Sequence, residues 1–201
     1  MQRELRFYNS VPSPSPETQT ASRESFALNV SRADKSLEEI ARFRYDIYIR
    51  EMQLPLPGVD HDLGLLADSL DLLATHITAC QDGQLVGTVR LNFNMVPSSL
   101  KTALEIDNLP RPFVYCSRLC IVNSCRGSAL VNQLTRASFD IFHQMNAQVA
   151  ICHCYPHLLK LYKRSGFEPY AKPFTLQGLE SLGPQIPLIC NLDKQLRPKA
   201  A

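Results

Sequence analysis

The fold is decided by the stretch CSRLCIVNSCRGSA, residues 116–129. Its first half lies in an apolar run over residues 114–122 that predicts a strand, and Arg126-Gly127 marks the turn out of that strand. From Ser128 onward, apolar residues recur at helical spacing and predict a helix that runs to about Met145. The stretch therefore has the order strand, turn and long helix.

A second strand and a short helix are predicted to follow. Residues 149–154 form a brief apolar run typical of a strand, and Pro156 suits the first turn of a helix. The segment LYKRSGF, residues 161–167, carries that helix to its end at Gly166. A last strand is predicted over residues 186–192.

The residues upstream supply the remaining predicted elements. Alternating apolar residues over 26–30 predict a first strand. A capping box beginning at Ser36 starts a helix that runs to about Met52, where nearby prolines stop it. Residues 73–80 and 84–94 predict two strands joined by an Asp-Gly hairpin turn. Together these elements predict a mixed α/β sheet with helices on both faces.

Length and composition predict one domain, residues 26–201, behind a flexible tail rich in Pro and Ser at residues 1–25. A net charge of +2 gives no field that would favour nucleic acid or a membrane surface. No apolar run is long enough to predict a transmembrane helix. The first residues lack the apolar core of a secretion signal, so we expect a cytoplasmic protein with reduced cysteines.

The cysteines raise the question of a metal site. Cys116 and Cys120 form one group, and Cys152, His153 and Cys154 form another. Zinc ligands normally come in pairs from turns, whereas these cysteines lie in strand-like apolar runs, where cysteine packs as a small hydrophobe. We therefore expect buried thiols and no metal.

Residues 114–170 resemble motifs A and B of the GNAT superfamily of N-acyltransferases. More narrowly, residues 36–170 resemble the branch that contains N-acyl amino acid synthases and acyl-homoserine-lactone synthases. The match is carried by RFRYDIYIREM at residues 42–52, by DSLD at 68–71 followed by THI at 75–77 and GTVRL at 87–91, and by SRL at 117–119. This resemblance implies a mostly antiparallel twisted sheet with a splayed central strand pair.

The resemblance also implies a donor site for an acyl-phosphopantetheine thioester, bound as a co-substrate while no permanent cofactor is held. The strand edge at Leu119 and Ile121 would pair with the pantetheine amides, as peptides do with exposed strands. The turn that follows would hold phosphate at the start of a helix. Its residues are Arg126, Gly127, Ser128 and Ala129.

One departure from the family pattern affects the donor. Ala129 and Val131 stand where the family has glycines, which weakens the site for the CoA pyrophosphate. Phosphopantetheine on a carrier protein has a single phosphate and demands less of the turn. The departure therefore favours acyl carrier protein over CoA as the donor.

Tyr162 stands where many GNAT members keep a tyrosine near the departing sulfur, where it would protonate or orient the thiolate. The base that deprotonates the acceptor amine is open. Homoserine-lactone synthases keep a glutamate just before their Ser-Arg pair, and here Tyr115 and Cys116 occupy those places. The candidates for the base are Glu51, Asp68, Asp71 and His76, with water relays as an equal alternative.

Arginines supply candidates for binding the acceptor. Arg44 lies in the apolar stripe of its predicted helix, where it either snorkels to solvent or anchors a carboxylate. Arg90 and Arg118 either form structural ion pairs or bind an acceptor carboxylate as a fork. The substrate-binding candidates are Arg44, Tyr48, Arg90, Ser117 and Arg118.

The sequence thus favours an N-acyltransferase that moves a medium or long fatty acyl group from a carrier thioester to an amine of an amino acid or a peptide side chain. One alternative is an N-acetyltransferase that uses acetyl-CoA. Another is a non-catalytic module that binds an acyl thioester or its carrier protein. The missing glutamate before Ser117 makes a lactone signal synthase a weaker hypothesis.

Overall fold

The computed structural model describes residues 25–32 and 36–192. Apart from its last residue, the predicted tail lies outside the described residues. The helices are α1 (Ser36–Tyr45), α2 (Leu130–Gln144) and α3 (Leu159–Arg164). The strands are β1 (Ala27–Arg32), β2 (Val59–Asp60), β3 (Leu65–Leu66), β4 (Thr75–Gln81), β5 (Gln84–Phe93), β6 (Phe113–Ile121), β7 (Val149–Cys154), β8 (Glu168–Pro169) and β9 (Ile186–Asn191).

Seven of these strands form one mixed sheet in the order β1-β4-β5-β6-β7-β9-β8. Every neighbouring pair is antiparallel except β6 and β7, which are parallel and are connected through α2. Strands β2 and β3 form a separate hairpin. No helix in the described part of the chain is long and apolar enough to span a membrane.

The two parallel strands separate in the middle of the sheet. Residues 113–115 of β6 pair with residues 149–151 of β7, and the pairing recorded between them ends there. On its other side β6 carries a bulge, because Thr88 pairs with Cys120 while Arg90 pairs with Ser117. Arg118, inside the bulge, has a φ of +55°, which is uncommon for a residue with a side chain. The predicted splayed pair is therefore confirmed.

Helices cover both faces of the sheet, as the sequence predicts. Side chains alternate across a strand, so neighbouring residues of β4 face opposite sides. His76 contacts Arg44 of α1, whereas Ile77 packs in the apolar core with Leu130 and Leu134 of α2. One face of the sheet is therefore apolar beneath α2, and the other is polar beneath α1.

The segment after α1 departs from the predicted helix. Residues 36–52 were expected to form one regular helix, but Asp46–Glu51 adopts wider π-helical turns, with the N–H of Met52 bonded to the carbonyl of Ile47 at 3.0 Å. Such turns change the phase of the helix surface and are frequent at functional sites. The short strands β2, β3 and β8 were not predicted, because two residues carry no periodicity.

Candidate active site

A buried ion pair joins α1 to the sheet. The Arg44 guanidinium donates to Asp71 Oδ1 at 2.6 Å, and both side chains are buried, at 0% and 1% exposure. Asp71 lies in a short 3₁₀ turn, Asp71–Leu73, that leads into β4. Its second oxygen, Oδ2, accepts the backbone N–H of Asp68 at 2.8 Å. Arg44 is therefore anchored to a carboxylate and does not reach solvent, which decides between the two alternatives left open by the sequence.

His76 is fixed in one neutral tautomer by its two partners. Arg44 can only donate, so His76 Nδ1 accepts its N–H at 3.1 Å. The Asp71 carbonyl can only accept, so His76 Nε2 donates to it at 3.1 Å. Burial lowers the pKa of His76 below 6.5, and the charges of Arg44 and Arg90 lower it further. Both ring nitrogens are thus occupied, which leaves no lone pair for a substrate proton.

Arg90 extends this network toward the bulge in β6. It donates to Asp68 Oδ1 at 2.6 Å and to Ser117 Oγ at 3.1 Å, and it lies 3.1 Å from Asp71 Oδ1. Arg118 binds the other oxygen of Asp68, at 3.1 Å. Asp68 therefore joins the buried pair at Arg90 to a partly exposed pair at Arg118, whose side chain is 21% exposed.

The two carboxylates are held ionised. Burial alone raises the pKa of Asp71, but Arg44 and Arg90 outweigh it and bring the pKa to about 2. Burial likewise raises the pKa of Asp68, while the charge and hydrogen bond of Arg90 lower it below the ordinary value. A carboxylate with a lowered pKa is a weak base, so both groups are better suited to binding a cation than to removing a proton.

The opening between β6 and β7 carries two tyrosines. Tyr48, from the π-helical turns, donates its hydroxyl to the Leu119 carbonyl at 2.9 Å and thereby fixes the bulged edge of β6. Tyr162 lies on α3, and its ring packs against Phe167. Burial raises the pKa of Tyr162 well above 10, and nearby Cys152, Cys154 and Tyr48 raise it further. Leu119 and Ile121, the edge residues of the donor prediction, lie on β6 beyond the last residue that pairs with β7.

The turn predicted to bind phosphate precedes α2. Gly127 has a φ of +81°, which glycine adopts without strain. Ser128 Oγ accepts the N–H of Leu130 at 3.1 Å and donates to the Cys125 carbonyl at 2.7 Å, with Ala129 between Ser128 and the helix. Arg126 donates to the Ile121 carbonyl at 3.0 Å and pairs with Glu51 at 2.5 Å. The candidate base Glu51 is therefore placed beside the turn and away from the Asp68 network.

The cysteines form no disulfide among the described residues, and most of them are buried. Burial raises the pKa of Cys120 to about 12 and those of Cys154 and Cys190 to about 11, so these thiols are protonated. In the described part of the chain no group of three or more His, Cys, Asp or Glu residues is arranged to hold a metal ion.

One hydrogen-bonded row was not predicted from the sequence. Tyr115 Oη lies 3.0 Å from His153 Nε2, and His153 Nδ1 lies 3.1 Å from Gln185 Oε1. The row borders the opening from the β7 side. Its members are 38 and 32 residues apart in sequence, so no local pattern reveals them. The one available signal is Tyr115 itself, two residues before the Ser-Arg pair.

The sequence matches the family described as N-acyl amino acid synthase FeeM over residues 39–182. The chain belongs to this family. That segment contains both halves of the site, the Arg44–Asp71 network and the turn before α2. As a member of the N-acyl amino acid synthase family, the protein is an N-acyltransferase. It matches none of the curated proteins compared with it.

Solved structures share the fold at low sequence identity. A CoA-dependent acyl-homoserine lactone synthase, BjaI, solved with SAM and isopentyl-CoA, is 18% identical over 85% of each chain, with a TM-score of 0.69. The acyl-homoserine lactone synthase LasI is 19% identical over 84% of this chain and 91% of its own, with a TM-score of 0.66. An acyl-CoA N-acyltransferase from Pseudomonas aeruginosa is 20% identical over 82% and 99%, with a TM-score of 0.61. The predicted GNAT-type fold is thereby confirmed.

Proposed function

We propose that this N-acyltransferase moves a medium or long fatty acyl group from acyl carrier protein to the amine of an amino acid. The observation that carries the acceptor is the Asp68–Arg118 pair beside the opening in the sheet. Asp68 offers a carboxylate to an ammonium group. Arg118 donates one hydrogen bond to Asp68. The remaining N–H groups of its partly exposed guanidinium can bind a substrate carboxylate. A free α-amino acid carries both groups on neighbouring atoms.

A peptide side-chain amine is the other acceptor that the sequence leaves open. It presents an ammonium group without an adjacent carboxylate, so it would use Asp68 and bring no carboxylate to Arg118, whose pairing with Asp68 would be unchanged. The two acceptors are separated by comparing lysine with peptides in which lysine is internal. We expect the free amino acids to be the better acceptors.

The donor proposal is supported by the turn before α2. Its Arg126 is held by Glu51 and by the Ile121 carbonyl, and the Ser128 hydroxyl is hydrogen-bonded within the turn. Such a turn has few free donors for a pyrophosphate and is adequate for the single phosphate of phosphopantetheine. The adenine nucleotide of CoA would gain little binding affinity from this turn, so acyl carrier protein is the preferred donor.

The fatty acyl chain requires an apolar region that continues from the opening. A second apolar cluster lies on the face of β6 and β7 opposite α2 and includes Leu104, Phe113 and Ile151. Partly buried Leu109, Phe174 and Leu176 pack against it. Side chains of this kind can move apart for an alkyl chain at less cost than fully buried ones. The cluster supports a medium or long acyl group over an acetyl group.

The test is acyl transfer by the purified protein, followed by mass spectrometry of the amide products. The donors are acyl thioesters of several chain lengths, carried either by acyl carrier protein or by CoA. Each donor is combined with the twenty amino acids, with internal-lysine peptides and with S-adenosylmethionine. We expect amide products when a long-chain acyl group on acyl carrier protein is the donor and a free amino acid is the acceptor. Turnover with acetyl-CoA alone, or a lactone from S-adenosylmethionine, would contradict this substrate assignment. Absence of transfer from every thioester would contradict the function itself.

Arg126→Gln tests the phosphate turn. Loss of the guanidinium removes the charge closest to the predicted phosphate, so the KM for the acyl donor should rise about tenfold, a change of about 1.4 kcal/mol. Arg136→Gln, on the exposed side of α2, is the matched control because it removes an arginine charge from the helix that follows the turn. An equal rise in both variants would show a general charge effect and contradict the assignment of the turn.

A further inference from the structure

The row formed by Tyr115, His153 and Gln185 has a defined direction. Gln185 Oε1 can only accept, so His153 Nδ1 carries the proton and donates to it at 3.1 Å. His153 Nε2 therefore presents its lone pair to Tyr115 Oη at 3.0 Å, and the tyrosine donates. The two rings are stacked at an interplanar angle of 20°, and Phe174 lies edge-on to the imidazole at 5.5 Å. The imidazole is thus held in place as an acceptor for the tyrosine proton.

The row lies beside the proposed acceptor site. Tyr115 pairs with Ile151 at the last recorded register position between β6 and β7, where the two strands begin to separate. Arg90, Arg118 and Asp68 are near enough to act electrostatically on its hydroxyl. Tyr115 is therefore hydrogen-bonded to His153 and close enough to the Asp68–Arg118 pair to feel its charges, on the face of the sheet that α2 leaves uncovered.

We propose that Tyr115 and His153 form the relay that takes the proton from the attacking amine, with Gln185 positioning the imidazole. The inference rests on the proposed function, because it needs an amine held by Asp68. It assigns the base that none of the carboxylates or His76 is suited to supply. Tyr115 touches the amine, whereas His153 and Gln185 act through it.

The step balances as follows. The acceptor's ammonium group first loses one proton to solvent. The neutral amine nitrogen then forms a bond to the thioester carbonyl carbon, and the carbonyl electrons move to oxygen. The nitrogen then gives a proton to Tyr115 Oη while Tyr115 gives its own proton to His153 Nε2. The C–S bond breaks as the C=O bond re-forms, and the thiolate leaves and takes a proton from solvent. His153 returns its proton through Tyr115 to solvent before the next turnover.

The surroundings favour a neutral imidazole at pH 7. Burial lowers the pKa of His153 below 6.5, and the positive charge of Arg118 lowers it further, while the hydrogen bond to Gln185 opposes these effects. Several ionisable groups among the described residues act on the row. They are Tyr115 and Arg118 from β6, Arg90 from β5, Asp68 from the segment before β4, Cys152 from β7, and Tyr155 beside Gln185. Burial also raises the pKa of Tyr115, so the tyrosine passes a proton on without being ionised at rest.

The experiment compares His153→Gln and Tyr115→Phe with the parent enzyme. Glutamine can accept the Tyr115 hydrogen bond but cannot take a proton, so the fold is kept while the relay is broken. His143→Gln, on α2, is the matched control. For each protein kcat is measured at saturating amine from about pH 5 to 9, together with binding of the acyl donor and thermal unfolding.

We expect His153→Gln and Tyr115→Phe each to lower kcat at least about 100-fold while donor binding is retained. The parent and His143→Gln should lose activity in acid with a midpoint below pH 6.5, and this acid limb should vanish in His153→Gln. Persistence of the limb in that variant, or kcat within about threefold of the parent in both relay variants, would overturn the relay alone. A parent enzyme without any transfer activity would instead overturn the proposed function.

Discussion

At the scale of single residues, burial decides what a hydroxyl can do in this site. Tyr162 has a pKa raised well above 10, whereas a thiol leaves with a pKa of about 8.5. Proton transfer from this tyrosine to the thiolate is therefore uphill, and we propose that it instead donates a hydrogen bond to the departing sulfur. Of the two roles that the family resemblance allows, orientation is favoured over protonation.

Tyr162→Phe tests that role. Removing a hydrogen bond to a charged group costs about 1.5 to 3 kcal/mol, so kcat should fall about 10- to 100-fold. Only burial and nearby groups, and no hydrogen bond, shift the pKa of the Tyr162 hydroxyl among the described residues, so stability should stay unchanged. Tyr170→Phe is the contrasting control, since its hydroxyl donates to the Leu104 carbonyl at 2.7 Å. That variant should lose about 1 kcal/mol of stability and keep its kcat. Equal kcat values for Tyr162→Phe and the parent would contradict the role.

At the scale of elements, a close contact between α2 and β5 sets the position of the turn. A Cβ added to Gly87 would lie 3.2 Å from both Leu130 Cδ2 and Leu134 Cδ1. The Gly in the GTVRL segment therefore lets α2 approach the sheet closely, and the start of α2 carries the predicted phosphate turn. In this segment Gly87 therefore allows close packing of α2, and Arg90 pairs with the carboxylates of Asp68 and Asp71.

Gly87→Val should push α2 away from β5. Overpacking of this kind costs about 1 to 3 kcal/mol, which chemical denaturation measures directly. Gly87→Ala should cost less, because the leucine side chains can shift by a few tenths of an ångström. Donor KM should rise in the same order, since the turn moves with the helix. A valine variant as stable as the parent would show that α2 is not held by this contact.

At the scale of the whole molecule, α1 and the sheet are joined through a buried layer of charge. Three arginines and two aspartates share it, and they come from α1, the segment before β4, β5 and β6. Three buried polar atoms beside them, Arg44 Nε, Thr88 Oγ1 and Asn92 Oδ1, make no hydrogen bond in the described part of the chain. Buried polar atoms without a hydrogen bond destabilise a fold. The arrangement of this layer therefore serves to position its charged groups as well as to stabilise the protein.

The layer predicts how stability depends on pH. The pKa of Asp71 is about 2 in the folded protein and 3.8 ordinarily, so the ionised carboxylate stabilises the fold above about pH 4. This contribution, about 2 kcal/mol, should be lost as the pH falls from 4 to 2. His76, with a lowered pKa, adds stability above pH 6.5 that is lost in milder acid.

Denaturant unfolding of the parent protein across this pH range measures both effects, and the carboxyl resonance of Asp71 reports its titration directly. Asp71→Asn should unfold more readily at neutral pH by about 3 to 5 kcal/mol, because Arg44 and Arg90 lose their buried partner. A carboxyl that titrates near 4 in the folded protein would contradict the ionised layer.

The local sequence determined much of this fold. Periodicity over residues 149–154 predicts β7 at its observed bounds, and the Asp-Gly turn predicts the hairpin of β4 and β5. Helix α2 is predicted within two residues of its ends. These features depend on neighbours in sequence, whose side chains alternate or recur by backbone geometry alone. The candidate residues Asp68, Arg90, Ser117 and Arg118 also followed from the family resemblance.

The tertiary structure alone decided which of these residues meet. Arg44 and His76 are 32 residues apart, and only the packing of α1 on β4 joins them and fixes the histidine tautomer. Tyr115 and His153 are 38 residues apart and meet because β6 and β7 are parallel neighbours that start to separate there. Partner, tautomer and pKa are set by distances and burial across the sheet. Local sequence patterns contain neither these distances nor the burial. The sequence therefore supplies the residue types, and the fold sets their partners, tautomers and pKa values.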